Sequence, residues 1–361
     1  CQSCCCFAES CCLMRETDYI PVEELTYAHG SPVISGDVKT YNDDFVVKEI
    51  PGFLPDGHGD HGFITLTKTG LTTQDVSKKL QRFCQVQQRD IGFAGLKDKN
   101  AVTSQTFSVN LAGKPEPDWQ SFTEDGITVN QVSRHPRKLK RGVLKGNRFE
   151  LLIRNLKGDL STLEGRMNAI AEEGVPNYFG QQRFGNEQNN IQTAIKWFKE
   201  DSINPRRNER SILISSVRSM IFNAILDRRV KNASWSKLLE GEVINLDGTE
   251  RHFQEAIDDL LLNRNRELDV HPTGALAGMP SRALQPVDEA GDVEEGVLIN
   301  YREWIDHLVA LKLEHARRPL RIAVRDLEWQ LKDEGLKLAF SLRSGAYATV
   351  VLREIVKSEG L

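Results

Sequence analysis

The stretch from Gly92 to Leu111, GFAGLKDKNAVTSQTFSVNL, ends in a clean alternation: Phe107, Val109 and Leu111 are apolar, and Thr106, Ser108 and Asn110 are polar. A period of two is that of a half-buried strand, which gives the loop before it a rigid base. The same texture runs upstream from Val33 to Thr67 as strand, turn, strand. Phe45 to Ile50 is β-branched and apolar, Pro51 to Gly62 is rich in Gly, Pro, Asp and His, and Phe63 to Thr67 alternates again. Thr72 reads as a helix N-cap with Asp75 three residues on, followed by Val76, Leu80, Phe83 and Cys84 on one face. Downstream, Gly126 to Arg134 predicts another strand, and Lys145-Gly146-Asn147 a turn feeding a strand through Phe149, Leu151 and Ile153. Ser161 and Glu164 predict a capping box for a helix carrying Leu163, Met167 and Ile170.

Beyond Gly185 the pattern changes. Residues 191–200, 212–229, 253–262 and 297–317 are helix-periodic and are joined by polar or Gly-Pro segments such as His271 to Pro280. Strands return over Leu320 to Trp329 and at Leu338, Phe340 and Leu342. Ser344-Gly345-Ala346-Tyr347 then opens a last helix. This order predicts one α/β sheet domain completed by its C-terminal strands, interrupted by a mostly helical insertion.

Composition fits that picture. At 361 residues the chain is long enough for two domains, and 39% hydrophobic with 27% charged residues is globular. No segment approaches the ~18 apolar residues of a membrane span. The formal net charge of -4 argues weakly against nucleic-acid binding by the chain as a whole. Between Arg134 and Lys157, however, Arg134, Arg137, Lys138, Lys140, Arg141, Lys145, Arg148, Arg154 and Lys157 face one acid, Glu150, and phosphate contacts are made by such patches. Six of the seven cysteines crowd the first twelve residues. A secreted disulfide scaffold would spread them through the fold, so a reducing compartment is expected. The cluster lacks the spacing and histidines of a zinc site, and residues 1–13 read as an unstructured extension or a misplaced start before Met14. His58 and His61 sit in a Gly-rich turn with no third ligand nearby, so no metal site is expected there.

Lys97-Asp98-Lys99 carries the candidate chemistry. A carboxylate between two ammonium groups is stabilised in its charged form, so Asp98 should be ionised at neutral pH and able to act as nucleophile or base. The same four residues through Asn100 also suit an ordinary solvated turn. Gly92 and Gly95 would let the backbone bend or a ligand approach. Near the domain junction, Val175 to Gly185 combines Tyr178, Phe179 and Phe184 with Gln182 and Arg183. That surface suits unpaired bases, although the aromatics equally suit a core.

The stretch Ala94, Gly95, Lys97, Asp98, Lys99, Ala101, Thr103, Gln105 resembles the AGxKDKxAxTxQ signature of the TruD family of tRNA pseudouridine synthases. Leu144, Lys145, Gly146, Asn147 and Phe149 match its LKGNxF motif, and Asn177 to Gly185 its NYFGxQRFG motif. The resemblance covers about Leu25 to Val356. It implies a mixed α+β fold: a pseudouridine synthase sheet domain, mainly antiparallel with flanking helices, at 14–172 and 319–361, and a mostly helical α/β insertion at 173–318. It implies isomerisation of uridine-13 in the tRNA D arm, with Asp98 as nucleophile. Phe45, Asn147 and Tyr347 would contact the target nucleotide, Phe149 would be a pocket wall, Lys39 the ion-pair partner of Asp98, and the NYFG segment an active-site rim. At Tyr347 the family more often has Phe, so the role of that residue is less firmly implied. The partner is tRNA, the protein a cytoplasmic monomer, and no cofactor, metal or membrane is called for. Breaking a glycosidic C–N bond and rejoining the ring through carbon needs no redox partner, only a carboxylate, aromatic walls and a means of extruding a base. A non-catalytic tRNA-binding or RNA-folding protein would show the same basic patch and aromatics.

Overall fold

The computed structural model describes residues 14–15, 18–185, 189–200 and 203–358, so the N-terminal cysteines and the whole 1–13 segment lie outside it. The chain forms two compact units. One comprises residues 31–175 and 322–361, and the other residues 176–321 with the segment up to Gly30. The described part of that N-terminal segment therefore belongs with the insertion, not with the sheet unit where the sequence reading put it.

In chain order the sheet unit begins with strands β1 (Ile34–Asp37), β2 (Phe45–Pro51) and β3 (His61–Thr69), then helix α1 (Thr73–Phe83). Strands β4 (Ile91–Phe93), β5 (Val102–Asn110), β6 (Ile127–His135) and β7 (Leu144–Gly158) follow, then helix α2 (Leu163–Glu173). The chain leaves at β8 (Val175–Pro176). The insertion contains α3 (Asn189–Lys199), α4 (Arg207–Lys231), β9 (Ile244–Leu246), β10 (His252–Phe253), α5 (Asp259–Arg266), β11 (Val270–Leu276), α6 (Asp288–Leu298), α7 (Arg302–Ala310) and β12 (Ala316–Pro319). It returns at β13 (Arg321–Ile322), and β14 (Arg325–Lys332), β15 (Gly335–Arg343) and α8 (Ala348–Ile355) complete the sheet unit.

The large sheet runs β14-β15-β7-β2-β5-β3-β6, antiparallel except where β2 pairs β5 in parallel. Register puts one row of side chains on a common face. The row comprises Leu338, Phe340 and Leu342 of β15, Asn147, Phe149 and Leu151 of β7, and Phe45, Val47 and Glu49 of β2. It continues with Thr103, Gln105 and Phe107 of β5 and Lys68, Leu66 and Ile64 of β3. The apolar members fall into two clusters. Those of β15, β7 and β2 pack with Leu163, Met167 and Ile170 of α2 and with Val351 and Ile355 of α8. Those of β5 and β3 pack with Val76 and Leu80 of α1. Between the clusters the row turns polar at Glu49, Thr103, Gln105 and Lys68, and the Asp98 loop lies at this strip.

Helix α1 opens as its sequence requires, because the Thr72 hydroxyl accepts the Asp75 N–H and the Asp75 carboxylate accepts the Thr72 N–H. The box expected at Ser161 and Glu164 does not form. Asp159 takes both the N–H and the hydroxyl of Ser161 into a short 3-10 turn, and α2 starts after Thr162 with no side-chain cap.

The insertion is built on α4, whose Leu213, Val217, Ile221, Phe222 and Ile225 are buried. It is less helical than its periodicity suggests, since it holds a four-stranded sheet, β10-β9-β11-β12. The helix expected at 253–262 begins only at Asp259, and that expected at 297–317 ends at Ala310. The segment read as a connector at His271 to Pro280 is largely β11. Six of the seven β11 residues are buried, so no alternation marks the strand. Its Gly274 is required, since a Cβ there would lie 2.8 Å from Leu320 and 3.2 Å from Phe222. Tyr178, Phe179 and Phe184 are also buried in this core, which overturns their reading as a base-stacking rim.

Gly92 answers its question too: what approaches is the chain itself. A Cβ would sit 2.2 Å from the Leu139 carbonyl oxygen and 2.6 Å from Ser108 Oγ. Gly92→Ala should therefore destabilise the sheet unit by about 1–3 kcal/mol, as overpacking does. Urea unfolding checks this, and an unchanged midpoint contradicts it.

Candidate active site

The loop from Ala94 to Ala101 joins β4 to β5 and is held by its own signature residues. Gln105, wholly buried on β5, donates from Nε2 to the Gly95 carbonyl at 2.7 Å and accepts from the Thr73 hydroxyl at 3.0 Å. That hydroxyl accepts the Lys97 N–H at 2.9 Å. The Lys97 side chain turns inward, and its Nζ lies 2.7 Å from Glu49 Oε1, each side chain only 6% exposed. Glu49 Oε2 accepts the Thr106 N–H at 3.0 Å, beyond the point where β2 and β5 stop pairing. Lys97 and Gln105 of the signature are thus scaffold, whereas the hydroxyl of its Thr103 is buried without a hydrogen-bond partner. The expected arrangement of Asp98 between two flanking ammonium groups is corrected, because Lys97 is committed to Glu49.

Asp98 itself stays open, its side chain 55% exposed, and its counter-ion is Lys39, with Nζ 3.0 Å from Asp98 Oδ2. Parallel pairing explains the meeting. The chain enters β2 and β5 at the same end, so residues just before each strand share one edge. Lys39 has a φ of 60°, a left-handed conformation that a lysine holds at a cost. Its ammonium also lies over the Phe45 ring, 4.2 Å from the centroid. Lys39, Phe45 and Asp98 thus form one contact group.

Phe149 meets Phe45 edge to face at 6.2 Å and Phe340 at 5.5 Å, and both Phe45 and Phe149 belong to the apolar cluster. Asn147 lies on the same face, and its Oδ1 is buried without a hydrogen-bond partner. Leaving such an acceptor unpaired costs about 1–3 kcal/mol, so the site is suited to a donor from outside. Tyr347 is 48% exposed at the start of α8. It follows by four residues Arg343, which pairs with Gly146 next to Asn147.

The basic run is partly committed within the protein. Arg134 pairs with Glu116, Arg148 with Glu328 at 3.2 Å, and Arg154 with Asp44 through hydrogen bonds of 2.8 to 3.0 Å. Lys138 donates to the Arg89 carbonyl. Arg137, Lys140, Arg141, Lys145 and Lys157 remain exposed. His58 is exposed in its turn and His61 begins β3, its pKa lowered by burial. Among the described residues no group of three or more His, Cys, Asp or Glu is placed to hold a metal ion. Cys84 is buried, which pushes its thiol up to about 12.

A family model for tRNA pseudouridine synthase D (TruD) matches residues 21–198 and 204–355. The chain belongs to the TruD family. The tRNA pseudouridine synthase D of Methylococcus capsulatus is 41% identical to it over 337 residues, which cover 93% of this chain and 95% of that protein. That of Nitrosococcus oceani is 40% identical over 349 residues, covering 95% and 97%. A crystal structure assigned to tRNA pseudouridine synthase D from Methanosarcina mazei shares the fold, with a TM-score of 0.72, 21% identity, and coverage of 92% of this chain and 95% of that one. This is the mixed α+β fold of TruD, in a chain whose family comprises tRNA-modifying isomerases. No helix among the described residues is long and apolar enough to cross a membrane.

Two residues that hold the TruD signature loop, Glu49 and Lys68, went unnoticed in the sequence. The signal was there: each falls in phase with apolar neighbours, Glu49 with Phe45 and Val47, Lys68 with Ile64 and Leu66. A charge at an inward position needs a partner. Removing one partner of a buried pair costs about 3–5 kcal/mol. Lys97→Met should therefore lower the melting temperature markedly, and Lys97→Met with Glu49→Gln should recover much of the loss. Thermal unfolding of both variants checks this, and equal instability of the two would contradict it.

Proposed function

We propose that this protein isomerises uridine-13 in the D arm of tRNA to pseudouridine, with Asp98 as the nucleophile. The reading rests on one observation above the others: a half-exposed carboxylate, paired with Lys39, on a loop that Lys97 anchors to Glu49 of the sheet and to Thr73 of α1. A turn with no chemical task would not need a buried ion pair and a buried glutamine to hold it.

In the reaction the bond from N1 of uracil to C1′ of the ribose breaks, and a bond from C5 to C1′ forms. The proton on C5 leaves, and N1 ends protonated. Asp98 attacks either the sugar or the base, carrying the fragment covalently while the ring turns. Lys39 pairs with the carboxylate and orients it before attack. Asn147 offers its unpaired carbonyl oxygen to an N–H of the uracil edge, and Tyr347 supplies an exposed aromatic face for the extruded base. Phe45 and Phe149 back the pocket from within the core. The exposed basic residues, Lys140 and Arg141 among them, take phosphates. The protein acts as a monomer in the cytoplasm, where its thiols stay reduced.

Asp98→Asn should abolish conversion, as read by pseudouridine mapping of tRNA, while tRNA affinity stays within a few-fold, since one acid contributes little to phosphate binding. Surviving conversion would remove Asp98 from this role. Tyr347→Ala should slow conversion strongly, because base stacking is worth about 1–3 kcal/mol. Tyr347→Phe should be nearly silent, and a loss as large as that of Tyr347→Ala would show that the hydroxyl takes part.

A further inference from the structure

Lys68 stands where its strand calls for a hydrocarbon. It continues the inward row of Ile64 and Leu66 on β3 and is wholly buried. Among the described residues no carboxylate lies within ion-pair distance of it. Its ammonium donates to two backbone carbonyls instead, Leu71 at 2.7 Å and Asp98 at 2.7 Å. Leu71 leads into the cap of α1, and Asp98 is the candidate nucleophile. The segment is thus clamped on both sides, by Thr73 at the Lys97 N–H and by Lys68 at the Asp98 carbonyl.

The neighbours of Lys68 sharpen its role. On the flanking strands it faces uncharged partners, Thr103 of β5 and Ile127 of β6. The charges that reach it are Asp98 and Asp75, which favour its protonated form, and Lys97, which opposes it. Lys97 is already neutralised by Glu49. Among these charges Asp98 acts most strongly on Lys68. Burial lowers its pKa to about 8.

We propose that Lys68 is the positioning residue of the nucleophile: through the Asp98 carbonyl its buried ammonium fixes where the loop stands over the sheet. This rests on the reading of Asp98 as nucleophile. Lys39, partly exposed and at a strained backbone position, lies on the solvent side of the loop's carboxylate. Lys68 is sealed under the loop.

The test is Lys68→Met, which keeps most of the side-chain length but loses the charge and the donors. Single-turnover conversion of unmodified tRNA at saturating enzyme should fall about 100-fold, the effect of an ångström-scale misplacement. tRNA affinity should stay within about threefold. The variant should also lose the decline in rate that the wild type shows as pH rises through about 8, because the titrating ammonium is gone. A folded Lys68→Met with wild-type rate overturns the proposal. Should that variant not fold, Lys68→Gln carries the same measurements, keeping a donor without the charge. The wild type supplies its own check: its rate should decline as pH rises through about 8, and a flat profile across that point overturns the proposal. Asp98→Asn run in parallel separates the two ideas. Conversion that survives it sinks the nucleophile reading, whereas an inactive Asp98→Asn beside a fully active Lys68→Met sinks only the role of Lys68.

Discussion

Lys97 and Glu49 face each other at 2.7 Å, almost out of reach of solvent, on a sheet face that is otherwise packed with hydrocarbon on either side. Two charges in that position are costly unless every remaining hydrogen-bonding group is matched. Here they are matched by Gln105 and by the Thr106 N–H, which ties the pair to β5. The consequence is a loop that cannot drift without breaking several buried bonds together. The structure buries the Lys97 side chain next to Asp98 and leaves the Asp98 carboxylate half-exposed.

Where residues alternated, the fold was readable. β2, β3 and β5 each have one wet and one dry face, and the capping box at Thr72 needs nothing beyond its own turn. β11 failed because burial on both faces erases the period, and because Pro272 and Gly274 read as breaks when they serve close packing. Ser161 failed through competition, since Asp159 two residues earlier reaches the same N–H first. The aromatics of the NYFG segment were open between core and rim, and their burial decides for core.

The site was legible in part, and the boundary is physical. Asp98 and the surrounding signature stood out by spacing, and the family resemblance supplied Lys39, Asn147 and Tyr347. What holds Asp98 could not be read from spacing, because Glu49, Lys68, Thr73 and Gln105 come from different strands and a helix. Only strand order brings them together. The nine basic residues show the same limit: a count along the chain cannot tell Arg154, locked on Asp44, from Arg141, exposed over the Phe93 ring.

The return of the chain to its sheet after a long excursion has a consequence during synthesis. β7 pairs with β2 on one side and waits for β15 on the other, and β15 is made only after the whole insertion. At ~5–20 residues per second that wait lasts roughly 9 to 35 s. Throughout it, an unpaired strand edge carrying Phe149, Leu151 and Ile153 stands open to any other extended chain. The nascent protein is thus most vulnerable to aggregation when its insertion is half made, and a chaperone that shields strand edges would matter most at that moment.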